Sequence, residues 1–260
     1  MASAPSENLP LFYNQLEPLS SSAHEHIAIR RVDAVPYVAQ THAVPLTSDE
    51  FIVAQRFFPI VFSNGDNPVP LALMGLNEGA NVFFDDEGKP TPNVYVPAYV
   101  RRYPFMLARL RPDADELSLC FDPTCDAIGN FEDGERLFED GKPTEATNQI
   151  LKFCEEFELS AQRTNAFLKE LKDHDLLMDG EVAIQPTPDA QPFIYRGFQM
   201  VSDEKLRELR GDELRKMNQN GMLPLIVAHL FSLQLIREVF GKQAEQGKLP
   251  QPNPLATANA

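Results

Sequence analysis

PIVFSNGDNPVPLALMGL, residues 59–76, is the stretch on which the fold turns. Two short apolar runs, Pro59–Ser63 and Pro70–Leu76, flank the polar set Asn64-Gly65-Asp66-Asn67. Runs this short, bounded by turn-forming residues, read as strands joined by a turn. Upstream, Thr47 followed three residues later by Glu50 is a capping box, which predicts a short helix through Gln55 that Pro59 ends. Downstream, Asn81–Phe84 is expected to form a third strand, closing at the turn Asp85-Asp86-Glu87-Gly88. MLARLR (106–111) and ELSLCFD (116–122) predict a further strand pair around Arg111–Asp115, and HIAIRRV (26–32) an imperfectly alternating strand.

From Thr144 the period changes from two to between three and four. Ile150, Cys154, Phe157, Ala161, Thr164, Phe167 or Leu168, and Leu171 make one apolar stripe, with Lys152, Glu155, Glu156, Lys169 and Glu170 on other faces. That pattern is a long amphipathic helix. Glu181–Ile184 is expected to pair with Phe193–Val201. Helices are then expected from Ser202, from Gly211 and, past Gly221, over the apolar stretch Met222–Phe240 with Pro224 in its first turn. The predicted class is α+β: an antiparallel β-rich N-terminal half followed by a helix-rich C-terminal half packed on it. The expected organisation is an extended arm over 1–20, a single domain over 21–242, and a disordered tail over 243–260, where QAEQGKLPQPNPLATANA has no apolar face.

A chain of 260 residues can bury about 70–75% of its surface without disulfides or metal. With no Trp and 18 Phe, aromatic bulk in the core falls to Phe. The formal charge of −15 repels phosphate backbones and anionic lipid, so nucleic acid is not an expected partner. The N-terminus shows no basic-then-apolar leader, and no run approaches the roughly 20 apolar residues of a membrane helix. The best apolar stretch, Met222–Ile236, is interrupted by Pro224, His229, Ser232 and Gln234 and reads as a buried helix. The sparse cysteines, Cys120, Cys125 and Cys154, suit a reducing compartment. The sequence therefore predicts a cytoplasmic protein without membrane insertion, and leaves its oligomeric state open.

Candidate chemistry concentrates in Tyr95–Phe105, YVPAYVRRYPF. Arginine offers a planar fork for carboxylate or phosphate, and tyrosine an apolar ring with a polar tip. Tyr99, Arg101, Arg102 and Tyr103 are therefore candidates for holding an anionic or sugar-like ligand. The competing reading is a structural corner in which the arginines pair with the protein's own carboxylates. His229 is either a hydrogen-bonded core residue or an acid–base group facing the same cleft. Cys120 and Cys125 lack a second ligand pair, and Asp85-Asp86-Glu87 lacks a calcium-loop frame, so no metal site is expected. No nucleotide or nucleophile-elbow motif occurs, and no cofactor is expected.

Several segments together resemble the bacterial SapC family, as distinct from the peptide-transporter permease that shares its letters. They are Phe58–Phe62, Tyr99–Phe105, Gly134–Phe138, Gly197-Phe198 with Val201–Leu206, Ala228-His229-Leu230 and Ser232-Leu233. The resemblance covers about residues 10–240, and Arg101-Arg102-Tyr103-Pro104-Phe105 is its most specific part. It implies a link to a surface layer, and to uptake through genes for TonB-dependent receptors and flavin-dependent halogenase-like enzymes nearby. It implies no assigned catalytic residue. Three functions follow as expectations: a cytosolic non-enzymatic binding or accessory protein with a small-molecule or protein ligand, an enzyme on a small carbohydrate or amino-acid-type substrate, or a surface-layer structural protein.

Overall fold

The computed structural model describes residues 9–110, 116–185 and 191–249. A two-residue strand β1 (Glu17–Pro18), a helical turn α1 (Ser21–His24) and strands β2 (Ala28–Ile29) and β3 (Ala43–Pro45) open the chain. The capping box forms as its spacing dictates: Thr47 N–H and Oγ1 donate to Glu50 Oε2 at 2.8 and 2.9 Å. It starts a 3-10 turn over Ser48–Glu50 that continues as α2 (Phe51–Ala54). Strands β4 (Ile60–Ser63) and β5 (Pro70–Leu73) then make the hairpin foreseen around Asn64–Asn67.

Asn81–Phe84 is not a strand. The Asn81 side chain turns inward, fully buried, and its Oδ1 accepts from the N–H groups of Phe83 and Phe84 at 2.9 and 3.1 Å. Its Nδ2 donates to the carbonyls of Val38 and Thr41. An asparagine that bonds its own following backbone competes with a ladder, and only Phe84 makes a bridge, to Pro90.

Helix α3 (Ala98–Arg102) follows, then β6 (Phe105–Ala108) and β7 (Ser118–Phe121), paired antiparallel as expected. Their connecting residues 111–115 lie outside the described residues. Short strands β8 (Ile128–Gly129), β9 (Glu135–Arg136), β10 (Phe138–Glu139) and β11 (Lys142–Pro143) lead into α4 (Glu145–Asp173). Thr144 caps this long helix through Thr147 N–H, and Cys154, Thr164, Phe167, Leu168 and Leu171 form its buried stripe. The remainder is β12 (Leu177–Ile184), β13 (Phe193–Val201), α5 (Asp203–Glu208), α6 (Gly211–Gln219), α7 (Met222–Ser232) and α8 (Leu235–Glu245).

The class is α+β, with antiparallel sheets dominating the first half and helices the second. The main sheet has strand order β12-β13-β4-β5-β3, so the late hairpin β12–β13 docks on the early one. Gly180 permits that register. A Cβ there would stand 2.1 Å from Cε2 of Phe198, the residue it faces across the pair. Helix α7 lies against β4 and β13, and Phe51, Phe58, Phe62, Leu171 and Ile226 fill the space between. A second core gathers Phe105, Leu107, Phe121, Ile128, Leu137 and Phe138 under Cys154 of α4.

The apolar stretch expected as one helix is two. Ser232 Oγ donates to the His229 carbonyl at 2.6 Å, and the following bonds shorten to three-residue spacing, Gln234 N–H to Phe231 O and Ile236 N–H to Leu233 O. A serine that bonds back onto its own helix bends it. Residues Met222–Glu245 have the length and composition of a membrane span, but Ile226, His229 and Ser232 are buried against the sheet. Order also runs past the expected tail boundary. Gln243 is fully buried and accepts from Leu76 N–H at 2.7 Å while donating to Asn77 and Lys248. The part of the expected tail from 250 onward lies outside the described residues. Of the expected arm, residues from 9 onward pack onto the domain. Tyr13 is buried with its hydroxyl donating to Phe105 O, Asn14 N–H meets Asp122, and β1 pairs with β7.

Candidate functional site

Helix α3 is short because of what surrounds it. Pro97 precedes it and accepts at its carbonyl from Val100 and Arg101 N–H. Tyr103, forced extended by Pro104, ends it at ψ 135. Buried Glu50 holds its start: Oε1 accepts from Ala98 N–H at 2.7 Å and from the Tyr95 hydroxyl at 2.9 Å. One carboxylate therefore caps two elements, since its other oxygen serves Thr47. Burial and the Glu50 charge push the Tyr95 hydroxyl up to about 12, so it stays a donor.

The adjacent arginines have opposite surroundings. Arg102 is 5% exposed. Its guanidinium lies 4.2 Å from the Phe157 ring centre and 5.0 Å from that of Tyr99, with Nη1 3.6 Å from Glu158. Burial raises the Glu158 carboxyl above its ordinary range, and the Arg102 charge opposes that rise. The Arg102 Nε has no hydrogen-bond partner among the described residues. Arg101 is exposed. Its Nε donates to Val96 O at 3.0 Å and its Nη2 to the Tyr95 hydroxyl at 3.4 Å, with Phe153 5.2 Å beneath. Glu50, Tyr95 and Arg101 thus form a chain of contacts from the core to the surface. Among the described residues Arg101 has no ion pair and its Nη1 no hydrogen-bond partner.

Tyr99 and Tyr103 are structural on their inner sides. The Tyr99 hydroxyl donates to Leu11 O, and Tyr103 packs with Phe12, Tyr13 and Tyr37 at ring separations of 6.4, 5.1 and 4.4 Å. The arm is therefore clasped by the tyrosines of the run that sequence singled out.

Arg101, Arg102 and Tyr103 line one cleft of about 330 Å³, together with Arg30 and Arg31 beside β2 and with Gln149 and Phe153 of α4. Its floor is apolar, from Ile29, Phe105 and Ile150. Arg30 pairs with Asp133 at 2.6 Å and stacks 3.8 Å over Phe131, while Arg31 pairs with Glu135 at 2.9 Å. Carboxylates thus face Arg30, Arg31 and Arg102, and of these four arginines Arg101 is the one without a carboxylate partner among the described residues.

His229 does not join them. It is fully buried between β4 and β13, with Nδ1 bonded to Ile60 O at 2.8 Å and Nε2 accepting from Val201 N–H at 3.0 Å. Burial pushes its ring down to about 4, so it stays neutral, and neither nitrogen is left for a substrate. Arg30, Arg31, Glu50 and Phe153 are site residues that sequence reasoning missed. The available signals were a second Arg-Arg pair and the capping-box glutamate. No group of three or more His, Cys, Asp or Glu among the described residues is placed to hold a metal.

The SapC family model matches residues 19–239. No curated protein and no solved structure matches the chain.

Proposed function

The chain belongs to the SapC family, and on that premise we propose that it is a non-enzymatic binding or accessory protein, working in the cytoplasm, that receives an anionic group at Arg101. The observation that carries this reading is an arginine without a carboxylate partner among the described residues, on the wall of a cleft, in a chain of net charge −15. In so acidic a protein a cation that faces a cavity rather than a carboxylate is available for an incoming anion. The guanidinium fork suits carboxylate or phosphate. Its stacking over Phe153 and its bond to Val96 O hold the fork in place before a ligand arrives, which lowers the entropy lost on binding. The cleft volume lies at the small end of ligand sites. Its apolar floor adds burial for the rest of the ligand. Three unpaired thiols support a reducing compartment. Such a protein would serve uptake or surface-layer biogenesis by holding a ligand or partner, not by transforming it.

Calorimetric titration of the full chain with acetate, citrate, inorganic phosphate and blocked acidic amino acids tests this. Arg101→Ala is expected to weaken whatever binds by about tenfold or more, the loss of a charge-assisted hydrogen bond, with an unchanged melting temperature. Equal binding by wild type and Arg101→Ala would remove Arg101 as the receiving group.

A further inference from the structure

A second cleft, of about 310 Å³, meets the first at Arg101 and Tyr103, which line both. The chain after β2 walls the two in succession. Ile29 and Arg31 line the first, Val32 and Asp33 the second. β2 is paired on both sides, with β8 and β9. Beyond it the pairing stops: Arg30 N–H still donates to Ala127 O and Val35 N–H to Gly88 O, but none of the N–H groups of residues 31–34 donates a hydrogen bond among the described residues. Arg31, Val32 and Asp33 are exposed.

An exposed run of unpaired backbone beside a groove is the setting in which an extended peptide adds as a strand. Alternate residues of a strand point the same way, so a bound peptide presents residues i−2, i and i+2 to one surface. That surface here has at its centre Arg101, a cation without a carboxylate partner among the described residues, and apolar ground on either side, Phe153 in one cleft and Tyr37 in the other. Resting on the reading of Arg101 as the anion receiver, we infer that the ligand is a segment of another protein chain, bound extended along Arg31 and Val32, where the chain leaves β2 before it bends at Asp33. Its pattern is apolar-x-acidic-x-apolar, with the acid on Arg101 and the apolar side chains in the two clefts. Asp33 adds a selective element, because a second acid in the second cleft meets a like charge.

The probe is a library of N-acetylated, C-amidated heptapeptides. Each has a central Glu, Leu/Ile/Val/Phe two positions to each side, and Ala/Ser/Thr elsewhere. It is passed over the immobilised full-length protein, and retained members are measured by fluorescence anisotropy. Retained peptides are expected to lose about tenfold in affinity when the Glu is replaced by Gln, and about as much when alternate backbone amides are N-methylated. With Arg101→Gln, the Glu and Gln peptides are expected to bind alike. If no peptide is retained while acetate or a blocked acidic amino acid binds in an Arg101-dependent manner, the peptide inference falls and the anion reading stands. If retained peptides ignore Arg101→Gln, or if neither peptides nor small carboxylates bind, both fall. Retention insensitive to N-methylation overturns the strand-addition geometry.

Discussion

Protonating His229 would open the seam between β4 and β13. The neutral ring donates from Nδ1 to Ile60 O and accepts at Nε2 from Val201 N–H. An imidazolium has no acceptor, so the Val201 N–H would face another N–H. Burial therefore drives the ring from 6.5 down to about 4. Because the folded value lies below the unfolded one, the unfolded chain takes up the proton first as pH falls. The His229 contribution is whole above about pH 6.5, declines between about 6.5 and about 4, and is gone below. At about 1.4 kcal/mol per pH unit, the loss across that window is about 3 kcal/mol. Urea unfolding followed by circular dichroism, with His229→Leu as reference, measures it. At neutral pH the variant leaves Ile60 O and Val201 N–H without their ring partner, at about 1–3 kcal/mol each. On acidification the gap between the proteins should close by about 3 kcal/mol, since carboxylate effects common to both cancel. A gap that stays constant down to pH about 4, or a His229 ring resonance titrating at an ordinary histidine value, would refute the reasoning.

Other expectations are as direct. Glu50→Gln replaces an acceptor for Thr47, Tyr95 and Ala98 with a group that must turn N–H toward one of them. It should cost about 1–3 kcal/mol in thermal or urea unfolding and weaken Arg101-dependent binding through Tyr95. Gly180→Ala sets a methyl 2.1 Å from a Phe198 ring carbon. It should destabilise by about 1–3 kcal/mol, and an unchanged melting temperature would show that the ring moves freely. Burial pushes the thiols of Cys120 and Cys154 up to about 11 and about 12. Iodoacetamide should therefore reach them only on unfolding, and prompt labelling of either in the native protein would contradict that.

Where local rules suffice, the sequence could be read directly. The Thr47–Glu50 box, the hairpin around Asn64–Asn67 and the stripe on α4 each depend on residues a few positions apart. Asn81 misled because its side chain finds carbonyls about forty residues upstream, at Val38 and Thr41. Ser232 breaks the apolar helix while also accepting from Ile60 N–H, a distant strand that periodicity does not register. The arginine pair shows the limit most sharply. Neighbours on a helix point about 100° apart. Which of Arg101 and Arg102 faces inward depends on Phe157 and Glu158, more than fifty positions away. The cleft itself joins Ile29–Arg31, Arg101–Phe105 and α4, a convergence no spacing rule contains.

Helix α4 offers Cys154 to one apolar cluster and Phe167, Leu168 and Leu171 to the other, so a single rod is threaded through both. The strands around it alternate in the same manner: residues 27–29 belong to the smaller cluster, 38–84 to the larger, 105–138 to the smaller again. No cut between residues 46 and 150 separates one cluster from the other, because each fragment would carry part of both. Protease nicks in that interval should therefore yield pieces that stay associated and melt together, and neither piece expressed alone should fold.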